Sequence, residues 1–174
     1  MRYIFPALGL SFLLLTCVRA QPKPAVSNPN IDMEAYLKVA AEAAKHRETR
    51  RLTEDDFLTM SKEPGTIVLD ARSKQMYDRL HVQGAINLSF PNIDIESLKK
   101  TLPDKNARIL IYCNNNFKGA PEVFASKAPR ASLNISTYIA LYSYGYRNVY
   151  ELGPQVDIKD SKLLWAGNDV ARRK

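Results

Sequence analysis

The residue best suited to take part in a reaction is Cys113, one of two cysteines in a chain of 174 residues. It directly follows the apolar run 109–112, and a polar stretch that contains a glycine comes after it. That stretch consists of Asn114, Asn115, Asn116, Phe117, Lys118 and Gly119. Such a loop can curl so that successive backbone N–H groups point inward and bind an anion. Since Lys118 favours the thiolate, which is the nucleophilic form of cysteine, the segment predicts a reactive thiol in an anion-binding loop.

The other ionisable side chains carry weaker signals. Asp70 and Arg72 follow a predicted strand, and we interpret them as a charge-assisted pair that braces the edge of the sheet, in preference to an acid–base pair. His81 is interpreted as a structural histidine, and His46 belongs to a basic helix end. One thiol and two histidines beyond the N-terminal segment show no metal-ligand spacing, so no metal and no other cofactor is expected. For Cys113, a buried structural role is the alternative, because free cysteine is among the most buried residue types.

Short apolar runs alternate with segments of helical periodicity over most of the chain. The predicted strands are 66–69, 85–88, 109–112 and 148–152, and the predicted helices are 32–46, one that begins after an N-cap at Thr53, 74–80, 94–102 and 134–144. Nearly all-apolar strands separated by helices predict an α/β fold, with an open parallel sheet flanked by helices on both faces. Ligands bind beyond the carboxyl ends of the strands in such sheets, which is where Cys113 is placed.

The first twenty residues predict export. Arg2 precedes an apolar run over 4–15, and Val18-Arg19-Ala20 supplies small residues at the positions expected for signal-peptide cleavage. The apolar run is shorter than the roughly 20 residues that a membrane span needs, so no membrane span is expected. A lipoprotein signal with lipidated Cys17 is the less favoured alternative, because Thr16 fits that motif poorly. The predicted segments are a signal peptide (1–20), a linker (21–31), an N-terminal helix (32–51) and one domain (52–170), in a periplasmic or secreted protein.

The charge of the chain is mildly positive. The formal net charge of +7 falls by two when Arg2 and Arg19 leave with the signal peptide. The remaining charge favours small anionic substrates. No basic stripe with interleaved aromatic residues is present in the sequence, so we expect no nucleic-acid partner.

Several motifs, taken together, resemble the signature of the rhodanese-like domain family. In chain order they are Leu69-Asp70-Ala71-Arg72, Tyr77, His81-Val82-Gln83-Gly84-Ala85-Ile86-Asn87-Leu88, Leu102-Pro103, the run 109–113 and Gly145-Tyr146-Arg147-Asn148-Val149-Tyr150. Their order and spacing over residues 52–152 make the resemblance more specific than any single motif does. The resemblance implies the rhodanese-like fold and maps the family's active-site cysteine onto Cys113. Small members of the family carry a basic residue five positions later, where Lys118 stands.

The resemblance implies a sulfurtransferase. Such a protein takes sulfane sulfur from thiosulfate or a persulfide donor, holds it as a persulfide on Cys113, and passes it to a thiol or another thiophilic acceptor. Inward N–H groups stabilise the thiolate and the persulfide without a cofactor. The alternative is a non-catalytic or thiol-redox module of the cell envelope that binds a protein redox partner. Phosphatase chemistry is disfavoured, because related phosphatases place an arginine six positions after the cysteine, where Gly119 stands.

The sequence also departs from the family's pattern. Residues 120–133 form an insertion between the cysteine loop and the next predicted helix. It is interpreted either as a lid that adds Lys127 and Arg130 as anion contacts or as a cover that buries the thiol. Leu80 stands where a glycine usually precedes the histidine, and Gly153-Pro154 replaces a Gly-Gly turn. These departures bear on substrate and turnover more than on the fold.

Overall fold

The centre of the fold is a parallel sheet of five strands. The computed structural model describes residues 28–170, and the unit that begins at Met33 holds these strands. In chain order the strands are β1 (Arg51–Leu52), β2 (Thr66–Asp70), β3 (His81–Val82), β4 (Ile86–Asn87), β5 (Arg108–Tyr112), β6 (Phe117–Lys118), β7 (Val149–Leu152), β8 (Val156–Asp157) and β9 (Trp165–Ala166). The main sheet has the order β1-β7-β5-β2-β4, and every neighbouring pair is parallel. Two short ribbons accompany it: β3 pairs antiparallel with β9, and β6 pairs parallel with β8.

The apolar sequence of β5 explains its central place. Residues 109–112 are all buried. Because alternate side chains of a strand point to opposite faces, Leu110 and Tyr112 join one apolar cluster, whereas Ile109 and Ile111 join the other. A continuous apolar run is therefore what a strand covered on both faces requires.

Helices supply the cover on both faces of the sheet. They are α1 (Met33–Arg47), α2 (Glu54–Ser61), α3 (Lys74–Arg79), α4 (Ile95–Thr101) and α5 (Leu133–Ser143). On one face, α2 contributes Phe57 to the cluster that contains Leu110. On the other face, α1, α4 and α5 contribute Ala43, Leu98 and Leu141. The predicted α/β fold class, with helices on both faces of a parallel sheet, is confirmed.

Local capping signals fix where several helices begin and end. Thr53 Oγ1 accepts a hydrogen bond from the Asp56 N–H at 3.1 Å, at the start of α2. Asp94 and Ser97 form a reciprocal capping box at the start of α4. Gly145 follows α5 with φ of 92°, a left-handed conformation that glycine adopts without a steric penalty. The sequence does not predict the edge strand β1, whereas the other strands of the main sheet and the helices lie close to the predicted ones.

The N-terminal helix, Met33–Arg47, lies close to the helix predicted over 32–46 and occupies most of the segment 32–51. It ends at Arg47, packs against α5, and the chain then adds Arg51–Leu52 as the edge strand β1. The basic residues of this stretch face a buried carboxylate. Arg47 Nη2 and Arg51 Nε lie 2.5 Å and 3.1 Å from Glu151 Oε1 on β7. The basic run thus compensates a buried charge, in addition to ending the helix.

The segment inserted after the cysteine loop is anchored at its beginning and exposed afterwards. Ala120, Val123 and Phe124 are buried within the apolar cluster that contains Leu110. Residues 125–131 are exposed, and a 3-10 turn over Pro129–Ala131 leads into α5. The insertion is therefore partly built into the core.

The predicted signal peptide (1–20) and the alternative lipidated residue Cys17 lie outside the described residues. Among residues 28–170, no helix has both the length and the apolar character needed to cross a membrane.

Candidate functional site

Cys113 lies at the carboxyl end of β5, the central strand of the sheet. Its backbone is extended, with φ of −146° and ψ of −171°, and a 3-10 turn over Asn114–Asn116 follows at once. The side chain is 1% exposed. The strand end is the position at which open parallel sheets bind ligands, but the sulfur is covered in this conformation.

The immediate partners of Cys113 are polar. Its N–H donates to Asn116 Oδ1 at 2.8 Å, and its Sγ lies 3.4 Å from Ser132 Oγ. Neither apolar cluster of the described residues includes Cys113. Polar groups thus contact both the backbone and the sulfur of this buried cysteine.

Asn116 ties the cysteine loop to the neighbouring strand. Its Nδ2 donates to Leu152 O at 2.7 Å, at the end of β7, and to Pro154 O at 3.2 Å. Its Oδ1 accepts from Asn134 Nδ2 at 3.0 Å, in addition to the Cys113 N–H. The side chain of Asn116 therefore fixes the backbone of Cys113 against both β7 and the first turn of α5.

The first turns of α5 carry two buried oxygen atoms that have no hydrogen-bond partner among the described residues. They are Asn134 Oδ1 and Thr137 Oγ1. An unpaired buried acceptor costs about 1–3 kcal/mol. Since Asn134 Nδ2 donates to Asn116, one of these two oxygens lies on a side chain that takes part in the hydrogen-bond network around the cysteine.

Asn115 joins the cysteine loop to the exposed part of the insertion. Its Nδ2 donates to Lys127 O at 2.8 Å, and its Oδ1 accepts from the Lys127 N–H at 3.0 Å. The two hydrogen bonds engage the N–H and the C=O of the same residue, Lys127, as a strand partner would. Arg130 lies three residues further on, exposed in the 3-10 turn that precedes Ser132.

The second half of the predicted loop is not a loop in the structure. Phe117 and Lys118 form β6, and Phe117 is buried against Phe124 and Trp165, with ring centroids 4.8 Å and 4.9 Å away. Lys118 is exposed, and its carbonyl oxygen accepts from the Ile158 N–H at 3.1 Å. The turn after Cys113 ends at Asn116, because the large apolar ring of Phe117 is drawn into the core.

Gly119 follows β6 with φ of 87° and lies close to Asp157 of β8, the strand that pairs with β6. A Cβ at this position would lie 2.6 Å from Asp157 Oδ1. The residue thus turns the chain beside β8. The carboxylate of Asp157 therefore lies beside the turn at Gly119.

Asp70 and Arg72 form a buried ion pair beside the cysteine loop. Arg72 Nη2 lies 2.6 Å from Asp70 Oδ2, and Arg72 Nε lies 3.0 Å from Asp70 Oδ1. Tyr112, the residue before Cys113, donates its hydroxyl hydrogen to Asp70 Oδ2 at 2.6 Å. Burial, followed by the charge of Asp70, raises the pKa of Tyr112 well above its ordinary value.

Arg72 also holds the anchored part of the insertion. Its Nη1 donates to Val123 O at 3.2 Å, and its guanidinium lies 4.3 Å from the ring centroid of Phe124. Burial alone would lower the pKa of Arg72, but the hydrogen bonds and charge of Asp70 outweigh it and raise this pKa. The pair connects β2, β5 and the insertion, and this geometry supports the bracing role predicted for it.

The two histidines lie away from the thiol's contacts. His81 Nδ1 lies 2.7 Å from Tyr77 O, and the two rings stack at 3.8 Å. His46 Nδ1 lies 2.7 Å from the Tyr138 hydroxyl oxygen, where α1 packs on α5. Burial, then the charges of Arg50 and Arg147, lowers the pKa of His46.

Sequence reasoning missed Ser132 and Asn134 as neighbours of the thiol. Ser132 comes 19 positions after Cys113 and Asn134 comes 21 positions after it, on the far side of the insertion. The available signal was the serine just before the helix predicted over 134–144, a typical N-cap position. The sequence pattern did not indicate that the start of this helix lies next to Cys113.

The structure is that of an α/β protein with a buried thiol at the end of the central strand of a parallel sheet. Comparison with known proteins identifies its family. The sequence model of the rhodanese-like domain matches residues 53–152, more than half of the chain. The chain therefore belongs to the rhodanese-like domain family.

Individual relatives match at low identity or over short regions. The thiosulfate sulfurtransferase PspE of Escherichia coli is 39% identical over 46 residues, which are 26% of this chain and 43% of PspE. The match thus spans less than half of that relative's length. The solution structure of a rhodanese-like domain from Anabaena superposes with a TM-score of 0.51 and 19% identity, over 71% of this chain and 83% of that domain. A rhodanese from E. coli, solved with anions, gives a TM-score of 0.41 and 25% identity, over 59% of this chain and 99% of that one.

Proposed function

We propose that the protein is a sulfurtransferase that carries sulfane sulfur as a persulfide on Cys113. The observation that carries the proposal is the place of this thiol at the carboxyl end of the central strand of a rhodanese-like domain. Polar groups contact both its N–H and its sulfur, which suits a group that changes charge during a reaction. The similarity to a protein named thiosulfate sulfurtransferase supports the same class of reaction.

The proposed cycle has two steps. In the first, the Cys113 thiolate attacks the outer sulfur of thiosulfate, the sulfur–sulfur bond of the donor breaks, and sulfite leaves with the electron pair. In the second, a thiolate or cyanide attacks the terminal sulfur of the persulfide, and the Cys113 thiolate leaves. The electrons balance without an external oxidant or reductant, and no cofactor takes part.

Exposed basic residues near the thiol suit an anionic donor. Lys127 and Arg130 lie on the exposed part of the insertion, and Lys118 lies on β6. Positive charge around a cleft raises the local concentration of anions. We propose that these side chains, together with the backbone N–H groups of Asn114 and Asn115, attract and bind the donor.

The burial of Cys113 adds a requirement to this proposal. A sulfur atom whose residue is 1% exposed is out of reach of thiosulfate in the observed conformation. We propose that the donor enters when residues 125–131 move, since these residues are exposed and Lys127 is hydrogen-bonded to Asn115 of the cysteine loop. Access, and not chemistry alone, then sets the rate of loading.

A second candidate function follows from the same burial. A buried thiol that small donors cannot easily reach fits a module that binds a protein partner. The partner would form a mixed disulfide with Cys113 or bind elsewhere on the domain. The signal-like segment 1–20 supports an exported protein in both cases, so we propose that either activity takes place outside the cytoplasm.

A turnover assay separates the two candidate functions. The purified, reduced protein is incubated with thiosulfate and cyanide, and thiocyanate and sulfite are measured, in parallel with the Cys113→Ser variant. The sulfurtransferase proposal expects equal amounts of both products, with loss of at least about 100-fold in the variant because the nucleophile is gone. No turnover by a folded protein, with thiosulfate or a persulfide donor, would favour the partner-binding module.

A further inference from the structure

The residue that starts α5 departs from the usual behaviour of a helix N-cap. Serine is preferred at this position because its hydroxyl accepts a hydrogen bond from the first turn, which stabilises a helix by about 1 kcal/mol. Ser132 occupies the N-cap of α5, but its side chain makes no capping hydrogen bond. Its Oγ lies 3.4 Å from Cys113 Sγ instead.

The backbone holds Ser132 firmly in this place. Its N–H donates to Pro129 O at 3.3 Å, and its carbonyl oxygen accepts from the Ile135 N–H at 3.1 Å. Two residues further on, Asn134 donates a hydrogen bond to Asn116, which itself accepts from the Cys113 N–H. The start of α5 is thus attached to the cysteine at both its sulfur and its backbone.

We propose that Ser132 is a catalytic residue of the sulfur-transfer site, whose hydroxyl donates a hydrogen bond to the Cys113 sulfur when that sulfur is a thiolate. The inference rests on the sulfurtransferase function proposed for Cys113. A hydrogen bond to a charged group is about twice as strong as one between neutral groups, so the hydroxyl favours thiolate over thiol.

The hydroxyl affects the two half-reactions differently. In discharge, the acceptor takes the terminal sulfur, the bond between the two sulfurs breaks, and negative charge develops on Sγ as it leaves. Stabilising that charge makes Cys113 a better leaving group. In loading, the same hydrogen bond raises the thiolate population but weakens each thiolate as a nucleophile, so the two effects oppose each other.

The test compares Ser132→Ala with Ser132→Thr, which keeps the hydroxyl, and with Ser136→Ala, which removes a hydroxyl one turn further along α5. The thiolate of Cys113 is followed by its ultraviolet absorbance against pH, as the difference from Cys113→Ser. We expect the titration midpoint to rise by about one pH unit in Ser132→Ala, which corresponds to an about tenfold lower ratio of thiolate to thiol at a given pH. The Ser132→Thr and Ser136→Ala variants keep the midpoint of the unmodified protein.

Rapid-mixing kinetics give the second readout. Above the titration midpoint, discharge of a preloaded persulfide to cyanide should slow about tenfold in Ser132→Ala, while loading from thiosulfate changes less than about threefold. Ser132→Gly serves as a second variant without the hydroxyl, because glycine is well tolerated at an N-cap. An unchanged midpoint and discharge rate in both variants would overturn the role of Ser132. Because the titration needs no sulfur donor, it still tests the hydrogen bond if the unmodified protein fails to load sulfur.

Discussion

At the scale of single residues, Cys113 and the Asp70–Arg72 pair lie at the same edge of the sheet but have different kinds of partner. Each guanidinium nitrogen of Arg72 donates to a protein oxygen: those of Asp70, Val123 and Leu80. Asp70 accepts from Arg72 and from the Tyr112 hydroxyl. These groups are engaged with one another, whereas the sulfur of Cys113 contacts the hydroxyl of Ser132.

Replacing Asp70 tests whether the pair braces the fold. Asp70→Asn leaves the guanidinium of Arg72 buried without its counter-charge, so we expect the free energy of unfolding to fall by about 3 kcal/mol. Urea denaturation followed by circular dichroism measures the change. The matched control is Asp78→Asn, which removes an exposed pair with Lys74 and should cost less than about 1 kcal/mol. Unchanged stability with lost turnover would instead indicate an acid–base role for Asp70.

At the scale of elements, we expect the insertion to control whether the thiol can be reached. Its first part is held by buried Val123 and Phe124, and its exposed part is held to the cysteine loop by the two hydrogen bonds between Asn115 and Lys127. A segment of exposed residues held by few contacts opens at lower cost than the core does. The side chain of Asn115 is therefore expected to control how often the cover opens.

Removing that amide should expose the sulfur. In Asn115→Ala we expect Cys113 to react with iodoacetamide about tenfold faster, because two exposed hydrogen bonds contribute about 1–2 kcal/mol to the closed state. Alkylation followed by mass spectrometry measures the rate. Asn148→Ala is the control, since it removes one exposed side-chain hydrogen bond, to Asn106 O, outside the cysteine loop. Equal rates in the two variants would mean that this contact does not hold the cover.

The contact between α1 and α5 should make stability depend on pH. The pKa of His46 is lowered by its burial and by Arg50 and Arg147. As the pH falls through about 6.5, His46 is therefore protonated in the unfolded chain before it is protonated in the folded protein. Stability is therefore lost as the pH falls from about 6.5 through the folded pKa, and this contribution is constant above that range. Because His46 is partly exposed, we expect the loss to stay below about 1 kcal/mol.

Thermal unfolding between pH 7 and pH 5 tests this dependence. The midpoint of the unmodified protein should fall more steeply with acid than that of His46→Gln, which lacks the titrating group. Parallel curves for the two proteins would show that His46 does not contribute.

At the scale of the whole molecule, the sequence predicted the strand that carries Cys113 better than the side chains that contact its sulfur. A continuous apolar run such as 109–112 is what a strand buried on both faces requires, so this strand and the place of Cys113 at its carboxyl end could be derived from the sequence. The contacts made by the insertion could not be derived in this way. Phe117 and Phe124 enter the core, and Ser132 returns to the sulfur, only because of packing between segments distant in sequence.

The same distinction explains the altered loop. The polar residues after Cys113 predicted a cradle that reaches to Gly119, but local composition does not reveal that β8 is available to pair with residues 117–118. Pairing with β8 and burial of Phe117 outweigh the local preference for a loop, and they leave the turn Asn114–Asn116 as the part next to the thiol.

The central claim, that Cys113 carries sulfane sulfur, is tested most directly by intact mass. The reduced protein and its Cys113→Ser variant are incubated with thiosulfate and, separately, with glutathione persulfide, and their masses are compared. The account predicts a gain of about 32 Da, one sulfur atom on the thiol, in the unmodified protein alone, and its removal by cyanide or dithiothreitol. No gain with either donor, while iodoacetamide still labels Cys113, would contradict the persulfide carrier and leave the partner-binding module as the better account.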